Sequence, residues 1–145
     1  MAAITADVIV DRIRSVCAGV PFGMVEAVAW TTFELQPTTN LDNVFRIPPP
    51  SSQRAIPMFG YAEERTDSVQ IWLARKHNQD FDGVRRALTQ TVHSLTAAIT
   101  RDAFQDSGEY NVPSDGRGHS IFLDRRTDEF LTLRLTLPVN YDAQL

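Results

Sequence analysis

Residues 130 to 137, FLTLRLTL, leave the chain little choice of conformation. Leu131, Leu133, Leu135 and Leu137 alternate with Thr132, Arg134 and Thr136. A period of two puts all the leucines on one side of an extended backbone and the polar residues on the other. Wound as a helix, the same run would scatter its leucines around the axis. The segment is therefore a strand with one face buried and the other wet or paired with a partner. A sheet that carries so apolar a face needs a second layer to cover it.

Two segments have the pattern that supplies such a layer. In residues 81 to 104, Phe81, Val84, Leu88, Val92, Leu95 and Ile99 recur at three- and four-residue spacing and draw one apolar stripe. Arg85, Arg86, Gln90, Thr96 and Arg101 fall on the far side, and Asp80 stands where an N-cap is expected. A helix of that length runs about 35 Å, enough to cross a small sheet. Residues 5 to 18 repeat the pattern with Ala6, Ile9, Val10, Ile13, Val16 and Cys17. Thr5 is placed to cap this helix, Asp7 suits its positive end, and Gly19 with Pro21 stops it.

Further strands follow from alternation. VEAVAWTTFEL, residues 25 to 35, places Val25, Ala27, Ala29, Thr31, Phe33 and Leu35 on one face; Val28 and Trp30 share the other with Glu26, Thr32 and Glu34. SVQIWLAR, residues 68 to 75, points Val69, Ile71 and Leu73 one way and Ser68, Gln70, Trp72 and Ala74 the other. SGEYNVPSDGRG, residues 107 to 118, reads as a loop. HSIFLD then rises to a turn at residues 124 to 128, and EFLTLRLTLPV returns from it. The expected order is helix, strand, long segment, strand, long helix, strand, strand. That makes one α+β domain over residues 1–145, a two-layer arrangement of about four mostly antiparallel strands packed with two amphipathic helices and a long extended arm or loop.

Composition narrows the function classes. The net charge of −4 argues against a dedicated nucleic-acid binder, which carries a basic face. Cys17 is the only cysteine, so no intrachain disulfide or thiolate metal cluster forms, and its apolar neighbours make it a small core residue. Asp7 and Asp11 break the N-terminal apolar run, so no signal peptide is read there, and no apolar stretch is long enough to span a bilayer. A soluble protein made in a cytoplasm is expected. His77, His93 and His119 share no metal-ligand spacing. The carboxylate pairs Glu63–Glu64, Asp80–Asp82 and Asp128–Glu129 read as solvated turns, and Gly116-Arg117-Gly118 lacks a phosphate-loop frame. No catalytic, cofactor or metal site is expected.

One stretch stands outside this plan. Residues 36 to 58 show no helical or strand period and contain FRIPPPSSQRAI. Compact domains seldom carry so long a connection without a use for it. Pro48, Pro49 and Pro50 fix a stiff polyproline segment, while Phe45 and Ile47 before it and Ile56, Met58 and Phe59 after it are too apolar for a solvated linker. The expectation is an arm that reaches a neighbouring subunit through Phe45, Arg46, Ile47, Pro48, Pro49, Pro50 and Arg54; the alternative is a loop packed on its own domain. As an arm, residues 46 to 54 would be removable without unfolding the domain. Trp72, on the less apolar face of its strand, suits either a second core layer or an interface. Arg125 and Arg126 at the expected hairpin tip, and Arg75-Lys76-His77 at a strand end, are small basic clusters able to meet a partner.

Taken in order, ITADVIVDRIRSV, the turn at Pro21, VEAVAWTTFE, a long variable segment, SVQIWLARKHN running into QDFDGVRRALTQTVHSLTAAI, and a closing FLTLRLTLPVNYD resemble the tail terminator (tail completion) and neck proteins of long-tailed bacteriophages. The likeness spans nearly the whole chain and is one of order and texture; the aspartate such proteins place before the long helix is matched by Asp80 or Asp82. It implies a virion protein assembled in the host cytoplasm, a small α+β subunit of a homo-oligomeric, hexameric ring. Such a ring caps the tail tube protein, ends its polymerisation and meets the head-completion or connector proteins, while DNA passes through the lumen without specific binding. A head-completion or stopper protein, or another minor tail protein, is the nearest alternative. A small α+β enzyme or ligand-binding domain is an alternative of a different class, and a nucleic-acid-binding module another.

Overall fold

The computed structural model describes residues 5–28, 30, 42–58, 62–107, 110–113, 119–126 and 129–144. In chain order the elements are α1 (Ala6–Ala18), β1 (Val25–Glu26), β2 (Val44–Arg46), β3 (Ser51–Met58), β4 (Ala62–Lys76), α2 (Phe81–Arg101), a π-helical turn (Asp102–Ser107), β5 (Ser120–Arg126) and β6 (Phe130–Gln144). All six strands join one sheet in the order β1-β2-β4-β6-β5, with β3 also pairing with β4. Only the β1–β2 pair is parallel. The α+β class with two amphipathic helices is therefore as expected, and the sheet has more strands.

The centre is the long antiparallel pair β4–β6, in register from Ala62–Gln144 to Lys76–Phe130. Alternation sorts its side chains as the leucine pattern requires. Val69, Ile71 and Leu73 of β4, and Leu131, Leu133, Leu135 and Leu137 of β6, face the helices and are buried with Ile9, Val10, Ile13 and Cys17 of α1 and Leu88, Val92, Leu95 and Ile99 of α2. Both helix stripes are those read from the sequence. Asp80 caps α2, its Oδ1 accepting the Gly83 N–H at 3.2 Å, whereas the Thr5 side chain makes no cap bond on α1. The opposite sheet face holds a smaller cluster of Trp30, Trp72, Ala74 and Phe130.

Three expectations are corrected. The strand expected at 25 to 35 stops at Glu26. The Ala27 N–H bonds to the Phe45 carbonyl, the Trp30 N–H returns to the Ala27 carbonyl, and Trp30 packs on Trp72 behind the sheet; residues 29 and 31–41 lie outside the described residues. The aperiodic segment is, from Val44 on, mostly sheet. β4 is long enough for two short strands to share one of its edges, β2 along Trp72–Ala74 and β3 along Ala62–Ser68. Pro48 to Pro50 fall at the joint between them, where a residue without an N–H interrupts a ladder. Arg46 thus ends β2, and Ser51 to Arg54 open β3. Finally, Arg125 and Arg126 lie in β5, paired with Thr132 and Leu131, and not in the hairpin turn.

Candidate functional site

α1 and α2 lie side by side on the main core face. α1 packs toward β1, and α2 crosses β4 and β6. β5, the terminal strand of the order, extends beyond α2. Between α2 and β5 the surface falls into an open groove of about 730 Å³. Its floor is Leu135 of β6 and Ile121 of β5, which face each other in register.

One wall follows from helical geometry. Val92, Thr96, Thr100 and Phe104 recur every fourth residue and form a ridge along α2 into the π-helical turn. The Thr96 hydroxyl donates to the Val92 carbonyl and the Thr100 hydroxyl to the Thr96 carbonyl, each at 2.8 Å. With their hydroxyls turned back to the helix, the threonines show the groove their methyl groups. Phe104 is 76% exposed at the end of this ridge. Arg101, His93 and His119 stand at the rim. His119 Nε2 is out of water with no hydrogen-bond partner among the described residues.

The turn that displays Phe104 is held by a buried polar knot. Asp102 accepts two bonds from Arg12 of α1, from Nη2 at 2.7 Å and from Nε at 3.2 Å. The Tyr110 hydroxyl donates at 2.8 Å to Oδ2 of the same carboxylate, the oxygen that also accepts from Arg12 Nε. Burial, reinforced by this bond and by the charge of Asp102, pushes the Tyr110 hydroxyl well above its ordinary pKa. A second polar pair, Tyr141 donating to Asp67 at 2.6 Å, lies inside the far end of the β4–β6 pair.

The residues singled out from the sequence do not converge on one place. Phe45 and Ile47 are 2% and 1% exposed in the main core, so they hold the fold and do not face a partner. Arg46 donates to Glu26 at 3.2 Å, and Glu26 also accepts from Arg14 of α1. Pro48 and Pro50 are half-buried and Pro49 is exposed at the β2–β3 joint. Arg54 pairs with Thr66 along β4. Trp72 is 6% exposed, its ring 5.3 Å from that of Trp30, with its indole N–H donated to Gln70, so the second-layer reading replaces the interface one. His77 is buried, accepts the Gln79 N–H at 2.9 Å and stacks on Phe81, so it leaves the basic cluster of Arg75 and Lys76. Of the residues singled out, His93 and His119 line the groove, and Arg125 and Arg126 belong to the strand that borders it.

The groove itself was missed. Its signal was Phe104, an aromatic residue that falls off the apolar stripe of an otherwise regular amphipathic helix. Among the described residues no cluster of three or more His, Cys, Asp or Glu side chains could hold a metal ion, and no helix is long and apolar enough to cross a membrane. No family model matches this sequence, and no curated protein matches it.

Proposed function

We propose that the chain is a structural virion protein of a long-tailed phage, a tail terminator subunit that assembles into a hexameric ring. The ring caps the tail tube, ends its polymerisation and joins the tail to the head-completion or connector proteins. DNA passes through its lumen without specific binding, and the net charge of −4 suits a passage that should not hold phosphates. The order and texture of the elements support this reading, since they resemble that family throughout.

The observation that carries it is the groove beside β5, where Ile121 and Phe104 stand exposed. Exposed apolar surface of this kind marks interaction sites. It borders β5, one end of the strand order, and a contact made there with an unlike surface is the kind that closes a ring.

The test is the mass of the purified chain by light scattering over a concentration series, with electron microscopy of the same samples. The expected species lies near six times 16.3 kDa and shows a central hole. A chain that stays at the monomer mass throughout, and that leaves tube length and tube ends unchanged when mixed with polymerising tail tube protein, overturns the proposal.

A further inference from the structure

The geometry points to a small-molecule site elsewhere in the subunit: a cleft between α2 and the turn after α1, in which Arg75 binds the carboxylate group of a small organic anion. The site uses no residue of the groove beside β5, and it stands whether or not the chain forms a ring.

The cleft has a volume of about 310 Å³. One wall is α2, where Ala87, Gln90, Thr91 and Ser94 recur at three- and four-residue spacing and share a face. The other wall is the turn after α1. The Phe22 and Gly23 N–H groups both bond to the Gly19 carbonyl and the Met24 N–H to the Cys17 carbonyl, which fixes Phe22 and Met24 opposite α2. Arg75 continues the helix-facing row of Val69, Ile71 and Leu73 into the cleft. Asn43, one residue before the Val44–Ala74 pairing, stands beside it.

Arg75 is the one charged side chain among the described residues that line the cleft. It is half-buried, yet among the described residues no carboxylate pairs with it. Arg12, Arg14 and Arg46, also half-buried, each hold a carboxylate within 3.2 Å. The Arg75 side chain makes one hydrogen bond, from Nη2 to Asn43 Oδ1 at 3.1 Å. A guanidinium carries five N–H donors, so most of its fork is unused. Asp42, beside Asn43 in the chain, accepts the Lys76 backbone N–H at 3.1 Å instead. A cation drawn partly out of water without an anion is costly, and an anion that enters the cleft removes that cost.

The surroundings define the anion. Asn43 uses its oxygen on Arg75 and keeps its amide N–H groups as donors. The Gln90 amide and the Ser94 hydroxyl have no partner among the described residues. The Thr91 hydroxyl donates to the Ala87 carbonyl, so Thr91 adds a methyl group to the apolar wall of Phe22, Met24 and Ala87. One cation balances one negative charge. A carboxylate matches that charge and takes both arms of the fork, whereas a phosphate dianion would bring a second, uncompensated charge. The apolar wall accepts a ring or a short aliphatic body behind the carboxylate.

The test is NMR of the isotope-labelled full chain, titrated with benzoate, with benzamide as its neutral counterpart and with inorganic phosphate. Benzoate is expected to shift the Arg75 Nε–H, the side-chain amides of Asn43 and Gln90 and the Phe22 backbone. It should bind at least about tenfold more tightly than benzamide or phosphate. R75Q should weaken benzoate at least about tenfold. Because Arg75 also holds Asn43, S94W is the check on that variant: it fills the cleft from an exposed helix position, leaves Arg75 in place, and should cause the same loss. Benzoate that binds R75Q or S94W as it binds the natural chain overturns the site. Phosphate bound more tightly than benzoate overturns the ligand class, and so does benzamide bound equally well. Absence of any shift at these residues overturns the inference, and each of these results leaves the ring reading untouched.

Discussion

Asp102 joins parts of the chain that no local pattern connects. Its partners Arg12 and Tyr110 come from α1 and from the segment after the π-helical turn. Asp102→Ala would remove the carboxylate that the Arg12 guanidinium and the Tyr110 hydroxyl share. The expected loss is ~2–3 kcal/mol, below the usual figure for a fully buried pair because Arg12 is 36% exposed and rehydrates. Urea titrations of Asp102→Ala, Arg12→Ala and the double variant measure it; additive losses would show that the two side chains do not act together. Cys17 gives a prediction in pH. Burial raises its thiol from 9.0 to about 12, with Glu26 adding in the same direction. Below pH 9 both states keep the proton and stability is unaffected. Above it the unfolded chain releases a proton that the folded chain holds, so stability falls as pH rises through the window from 9 toward 12. Tyr110 is raised too and acts with the same sign at higher pH. Across that window Cys17→Ala should lose less stability than the natural chain, by at most about 1.4 kcal/mol per pH unit. Parallel curves would refute the assignment. The sequence placed Cys17 in the core because it lies on a helical stripe, but it offered no route to the Arg12–Asp102–Tyr110 knot, whose members are distant in the chain.

At the level of elements, what was legible was what repeats locally. The helices α1 and α2 and the core-facing sides of β4 and β6 all follow from period, because burial on one face imposes that period. β3 did not, since SSQRAIPM has neither alternation nor strand composition. It is a strand because the edge of β4 beyond β2 stands open and the chain returns along it. β1 was read too long for the opposite reason. VEAVAWTTFEL has strand composition, yet Trp30 gains more by turning behind the sheet onto Trp72. The start of α2 yields a prediction of its own. A Cβ on Gly83 would collide with the Asp80 carboxylate that caps the helix. Gly83→Ala gains helix propensity of about 1 kcal/mol and displaces a cap worth about the same, so the net change is near zero. Asp80→Ala alone should cost about 1 kcal/mol in the natural chain and almost nothing in the Gly83→Ala background. Thermal melts of the set decide; an equal cost in both backgrounds would mean that Gly83 and the cap are independent.

For the whole molecule, the decisive quantity is coverage, a property of how the strands are ordered sideways and not of any one segment. Among the described residues two helices lie over a sheet of six strands, with β5 at one end of the strand order. Nothing in the local pattern of residues 120 to 126 announces that they form the terminal strand of that order. This is why the sequence directed attention to Phe45, Ile47 and Trp72, apolar residues in unusual surroundings that the fold uses for itself. It passed over Phe104 and Ile121, which the fold leaves exposed. The distinction can be measured with one pair of variants. Trp72→Ala removes a ring packed on Trp30 and should cost ~3–5 kcal/mol of folding stability at every protein concentration. Phe104→Ser removes a ring that is mostly in water, so the folding stability of the monomer should change by less than about 0.5 kcal/mol. Its effect belongs to association: the concentration at which the oligomer dissociates should rise about tenfold or more, as it does when an aromatic anchor leaves an interface. Denaturation at low and high protein concentration separates the two. If Phe104→Ser instead lowered stability equally at both, Phe104 would be a core residue, and the groove would cease to be a candidate interface.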